Sequence, residues 1–279
     1  MNPSRRKFLK RTLGALALVG GAVGFEQRGE ADDLTVTRVD IPLPTWPART
    51  PGLRVGQLSD LHCDCAHAIE RTRRAVDVLL AQKPDVVFLT GDYISYRPRR
   101  WARPAAEALA GLTAVSGGVF AVLGNHDWWG GDPDTVTREL TQVGIRVLRN
   151  ESLALPQAPG VWVVGLDDRW AGKQDVKTAL KGVPAGTCRL MLMHEPDYAD
   201  EAPPGFALQL SGHSHAGQIR LPGLPPLHCP QYGRKYPEGL QQALHHPVYT
   251  SRGVGTMGPR FRLFCPPEIG VLHLHGPIL

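Results

Sequence analysis

Five short apolar runs in this chain each stop at a cluster of Gly, Ser, Asp, Asn or His, and that recurrence constrains the fold more than any other feature. Residues 53–58 lead into Ser59-Asp60-Leu61-His62, and residues 86–90 into Gly91-Asp92. Residues 119–123 lead into Gly124-Asn125-His126-Asp127, residues 190–193 into His194, and residues 206–210 into Gly212-His213-Ser214-His215. Between the runs lie segments of helical spacing. Ile69, Val76, Leu79 and Leu80 share one stripe of residues 67–82, and Pro104 and Pro133 open further helices over 103–113 and 133–143. Apolar run, loop, amphipathic helix and apolar run in succession is the pattern of an α/β domain. Further strands are expected at 34–39, 145–148, 161–166, 248–251 and 271–275. No internal repeat or linker divides the chain, and 279 residues are enough for one large core.

In α/β sheets the carboxyl ends of the strands face one crevice, where ligands bind. Asp60, His62, Asp92, Asn125, His126, His194, His213 and His215 are therefore expected to converge. Singly, each reads as a helix cap or a satisfied polar side chain. Together they form a set of oxygen and imidazole donors, which suits Mn, Fe or Zn better than an all-oxygen Ca or Mg cage. The donors outnumber one tetrahedral site, and two ions sharing a carboxylate would use them. Gly91, Gly124 and Gly212 stand directly before the polar residues, where backbone must approach closely.

The order D-x-H, G-D, G-N-H-D, isolated H and G-H-x-H resembles the calcineurin-like metallophosphoesterases, from residue 53 to about 275. The longer stretches Ser-Asp-Leu-His, Val-Leu-Gly-Asn-His-Asp, His-Glu-Pro-Asp and Leu-Ser-Gly-His-Ser-His-Ala-Gly-Gln are similar to its bacterial exported phosphodiesterase branch. The resemblance implies two β-sheets packed face to face with helices outside, and a phosphoesterase using two divalent ions. It implies that Asp60, His62 and His215 hold one metal, that Asn125, His194 and His213 hold the other, and that Asp92 bridges them. His126 would contact the scissile phosphate and assist the leaving group. Two positions depart from the pattern. Ser95 replaces an Asp that in some members orients the catalytic His, leaving Asp127 or a backbone carbonyl as its expected partner. Ala216 replaces a common Gly, a change expected to affect packing.

Charge is unevenly placed. The chain carries 31 Lys and Arg against 26 Asp and Glu, but six of the bases and two of the acids fall in residues 1–31. The remainder is close to neutral, so no nucleic-acid partner is expected. Ser4-Arg5-Arg6-Lys7-Phe8-Leu9-Lys10 precedes an apolar stretch at 13–25, too short for an ordinary spanning helix. It looks like a twin-arginine export signal, either cleaved or kept as a membrane tether. The expected division is a signal or anchor at 1–31, a lead-in at 32–50 and the metallophosphoesterase domain at 51–279. The product would be exported, periplasmic or membrane-associated. The five cysteines form no disulfide framework and are expected as packed thiols.

Two other classes compete with this reading. One is a non-catalytic exported protein that binds metal or envelope polymer. The other is a serine hydrolase built on Gly212-His213-Ser214-His215-Ala216, which misses the G-x-S-x-G elbow at its last residue. The substrate is expected to be a phosphorylated small molecule, lipid or envelope component. Trp128 and Trp129 would either wall the site or plug their loop into the core, and Tyr232, Arg234, Lys235 and Tyr236 could meet a head group.

Overall fold

In the computed structural model, which describes residues 30–95, 99–130 and 132–277, the apolar runs become strands of two six-stranded sheets. The first sheet contains β1 (Thr35–Pro42), β2 (Leu53–Leu58), β3 (Val86–Leu89), β4 (Val119–Ala121), β5 (Arg146–Val147) and β12 (Glu268–His275), ordered β1-β12-β2-β3-β4-β5. The second contains β6 (Glu151–Ala154), β7 (Val161–Gly165), β8 (Cys188–Leu192), β9 (Leu208–Ser211), β10 (Gly239–Gln242) and β11 (Pro247–Thr250), ordered β10-β11-β9-β8-β7-β6. The strands from β2 to β5 are mutually parallel, as are β7, β8, β9 and β11; β12 runs antiparallel to β2.

The alternation of side chains explains why these runs are apolar throughout. Val86 and Phe88 of β3 face the second sheet, in a cluster with Leu190, Leu192, Leu208 and Leu210. Val87 and Leu89 point the other way, onto α1 (Ala66–Ala81), α2 (Ala102–Leu109) and α4 (Pro133–Gln142). The outward face of β8, with Met191 and Met193, packs under Tyr198, Phe206 and Ala179 of α5 (Val176–Ala179). A strand buried on both faces carries no polar alternation. The result is an α/β sandwich, two sheets face to face with helices outside, the architecture that the resemblance implies.

The stretch 32–50 does more than lead in. Its eight-residue β1 pairs in parallel with β12, and Leu43 and Trp46 are buried in the inter-sheet core. The segment expected to be an export signal, residues 1–31, lies outside the described residues except for its last two. Among the described residues, no helix is long and apolar enough to cross a membrane.

Candidate metal centre

Every one of the five polar clusters lies at the carboxyl end of its strand, on one edge of the sandwich. Asp60 and His62 follow β2, Asp92 follows β3, His194 follows β8, and His213 and His215 follow β9. Asn125 and His126 open a one-turn helix after β4, α3 (Asn125–Trp129), where a plain loop was expected. All eight side chains are buried. The ligand atoms of Asp60, His62 and His215 lie within 4.8 Å of one another, and so do those of Asp92, His194 and His213. Asp92 joins the two groups: its Oδ2 is 3.2 Å from His194 Nε2 and 3.6 Å from His62 Nε2.

Backbone geometry at this edge is unusual. Asp60, His62, Asp92, His213 and His215 have φ of 54°, 47°, 58°, 70° and 50°. A left-handed conformation costs a side-chain-bearing residue about 1–2 kcal/mol, and strain concentrated in one crevice marks a functional site. Two glycines make room for it. A Cβ on Gly124 would lie 2.2 Å from Asp92 Oδ1, and one on Gly212 would lie 1.9 Å from Ser59 Oγ and 2.3 Å from Asp60 Oδ2.

Hydrogen bonds on the far side of the rings set two tautomers. His194 Nδ1 donates to Thr90 O at 2.6 Å, and His213 Nε2 donates to Gln231 O at 2.7 Å. A neutral ring then presents its other nitrogen, with its lone pair, to the cluster. His194 Nε2, His62 Nδ1 and Asn125 Oδ1 are buried with no partner of hydrogen-bond geometry. His62 Nε2 and His215 Nε2 approach to 2.9 Å, and His215 Nε2 lies 3.4 Å from Asp60 Oδ1. Imidazole nitrogens and carboxylate oxygens crowded together in a buried crevice, with His194 Nε2 and Asn125 Oδ1 unpaired, suit cations between them. The donor set therefore fits divalent metal.

Burial also favours the ligand-competent neutral form of three rings. It pushes His62 down to about 3, and holds His213 below and His215 well below the usual imidazole range. In Asp92 and His194 burial opposes charge, but their mutual attraction wins, holding Asp92 low and His194 high. Burial raises Asp60 to about 7 against the pull of His194.

The neighbouring residues divide into supports and cavity walls. Asp127 accepts from Asp92 N, Gly124 N, Tyr93 N and Ile94 N at 2.9–3.3 Å, which fills its four acceptor positions. Its place supports the task of tying the Asp92 loop to the Asn125 helix, rather than the expected one of orienting His126. Trp128 donates to Asp167 Oδ1 at 2.8 Å, with Arg149 stacked on its ring, and plugs its loop into the core. Trp129 instead lines the cavity, its ring 5.2 Å from that of His126. Ser214 donates to Pro237 O and accepts from Ala216 N, a structural turn rather than a nucleophile's arrangement. The segment expected to meet a head group is fastened down: Lys235 Nζ and Tyr236 OH bind Asp200, and Asp197 accepts from the backbone of residues 234–236. The five cysteines are free thiols, four of them buried.

Trp170 is absent from the sequence reading, yet it lines the same cavity, 4.6 Å from Trp129 and 5.6 Å from His213. The buried Glu195 beneath it accepts from Arg169 N and Trp170 N at 3.2 and 3.1 Å. Burial and the Glu195 charge raise the adjoining Asp168 to about 10, so that carboxyl keeps its proton near neutral pH. The available signal was position, since Trp170 follows the polar end of β7 as His194 follows β8. Ala216 also differs from expectation. Its φ is 50°, so the effect of replacing Gly there falls on the backbone.

Comparison with known proteins agrees with this geometry. Residues 53–217 match the family model described as calcineurin-like phosphoesterase. An uncharacterized metallophosphoesterase of Bacillus subtilis, YkuE, is 31% identical over 97% of this chain and 97% of its own length. The phosphodiesterase YaeI of Escherichia coli is 29% identical over 97% of this chain and 99% of its own. A UDP-2,3-diacylglucosamine pyrophosphatase of Chlamydia muridarum, LpxG, is 27% identical over 87% of this chain and 90% of its own.

Proposed function

The chain belongs to the calcineurin-like phosphoesterase family and is a hydrolase of phosphoester bonds; from that premise we propose that it cleaves phosphodiesters, and by the same chemistry pyrophosphate bonds, at a centre of two divalent metal ions. Asp60, His62 and His215 would hold one ion, Asn125, His194 and His213 the other, and Asp92 would lie between them. Mn, Fe or Zn suit this donor set. Bound there, such a pair supplies Lewis acidity for a phosphoryl oxygen and lowers the pKa of an attacking water.

The protein's own part is positioning. Thr90 O and Gln231 O fix the His194 and His213 rings, and the His126 N–H is held by an Asp92 oxygen at 2.9 Å. That bond starts the α3 turn and directs the His126 imidazole to the cavity wall, where it meets the phosphate without being a ligand. There an imidazole N–H donates to the departing oxygen.

One observation carries this reading. A single carboxylate oxygen lies within 3.6 Å of imidazoles from both donor groups, in a crevice where both groups are buried. The names of YaeI, a phosphodiesterase, and LpxG, a pyrophosphatase, support the choice of bond. The test is hydrolysis of bis(p-nitrophenyl) phosphate beside p-nitrophenyl phosphate, before and after chelation and after return of Mn, Fe or Zn. Turnover of the diester that vanishes on chelation and returns with metal is expected. Full activity in metal-free protein would overturn the proposal. Residues 4–10 support the further proposal that the enzyme is exported by the twin-arginine machinery, to the periplasm or the outer side of the membrane.

A further inference from the structure

The metal-ligand crevice opens into a cavity of about 510 Å³, within the range that accommodates a whole organic ligand. One end of it is polar: Asp92, Asn125, His126, His213 and His215. Beyond them the lining changes character, to Trp129, Trp170, Ile219, Leu227 and Met257 with Pro230 and Pro259. Two neutral polar side chains also face it, and neither is available to a ligand. Gln218 donates to Met257 O and Pro259 O and accepts from Met257 N, while Ser214 is held by Pro237 O and Ala216 N. Among the described residues, His228 and the indole N–H groups of Trp129 and Trp170 are the other polar groups on that part of the wall.

The apolar part continues to the surface. Leu227 is 64% exposed, and Trp129 and Met257 are each 37% exposed. Large apolar side chains left in water at the mouth of a cavity mark a binding surface rather than a core. A sugar or a nucleobase would bring more hydrogen-bonding groups into this trough than His228 and two indole N–H groups can meet, at a cost in desolvation. A hydrocarbon chain would meet mostly matching surface.

We propose that the preferred substrate is a phosphate ester bearing a long hydrocarbon chain, with the phosphate at the histidine–aspartate end and the chain along Trp129, Trp170, Ile219, Leu227 and Met257. The inference rests on the phosphoesterase reading for the position of the phosphate. The trough determines the rest of the molecule.

Calorimetric titration of the metal-loaded protein with methyl, butyl and octyl phosphate separates the two. Octyl phosphate should bind at least about tenfold more tightly than methyl phosphate, with a more negative heat-capacity change, since each buried methylene adds favourable transfer energy. In a Leu227→Asn/Met257→Ser double variant, whose changes lie at exposed positions, the octyl-to-methyl affinity ratio should fall towards one. Equal affinities across the series in the wild type would overturn the inference, as would a chain-length gain that survives in the double variant. Tighter binding of a nucleoside monophosphate than of octyl phosphate would also overturn it. Failure of the phosphoesterase reading would show separately, as absence of turnover on any ester, while these binding ratios still decide whether the trough takes a chain. Long-chain ligands presented singly or in vesicles distinguish a soluble amphiphile from a membrane lipid.

Discussion

His126 and Ala216 show how one position can carry a testable consequence. His126 stands next to the proposed ligand Asn125 in sequence, and both line the cavity. An aryl phosphate leaves with little help, whereas an alkyl phosphate needs a proton. His126→Ala should therefore keep its metals, lose about 10²–10⁴-fold on an alkyl diester and lose markedly less on a nitrophenyl ester. Equal losses on both, measured as kcat/KM, would reduce His126 to a positioning role. Ala216 is fully buried with φ 50° and ψ 29°. Glycine relieves the left-handed penalty but regains freedom when unfolded. Ala216→Gly should thus stabilise the protein by about 0.5–1 kcal/mol in urea unfolding at fixed metal. A destabilised variant would mean that the Cβ packing outweighs the strain.

At the level of elements, the site is a set of strand ends held in register by side chains that never touch substrate. Gln57 of β2 donates to Thr90 Oγ1 and to Ser211 O of the opposite sheet, at 3.1 and 2.9 Å. Asp127 ties two loops through four N–H groups. Replacing it with Asn substitutes a donor for one acceptor oxygen and opposes buried N–H groups. Asp127→Asn should cost about 3 kcal/mol of stability and weaken metal retention, read together by unfolding and elemental analysis; unchanged retention would detach that loop from the centre. This is also where sequence legibility ends. The strands from β2 to β4, with β8 and β9, were legible because burial on both faces leaves an unbroken apolar run. Helix α1 was legible from its stripe, and α4 from Pro133 at its start. The edge strands β6 and β10 were not, since a half-exposed edge such as Glu151–Ala154 or Gly239–Gln242 has no such run. The α3 turn was hidden because a five-residue helix shows no periodicity. The polar end of the cavity was written in local motifs. Its apolar walls, Trp170, Ile219, Leu227 and Met257, come from three separate loops that only the tertiary fold joins.

The whole molecule combines a near-neutral body with a basic N-terminal segment, and an active edge whose polar floor gives way to an apolar mouth. Under the proposed twin-arginine export, a receptor would read the guanidinium pair of Arg5-Arg6. Arg5→Lys with Arg6→Lys keeps the charge and removes the pair. Cell fractionation should find this double variant in the cytoplasm, and undiminished export would assign the leader to another route. The most direct test of the central claim is metal content per chain in purified protein, by elemental analysis, for the wild type, His215→Ala and Asp92→Ala. A shared carboxylate screens the repulsion between two cations, so its loss disturbs both, while His215 serves one. The wild type should hold about two ions per chain, His215→Ala should retain at least one, and Asp92→Ala should fall furthest. A wild type that takes up no more than one ion under added Mn, Fe or Zn, or an Asp92→Ala protein that holds as much metal as His215→Ala, would contradict the account.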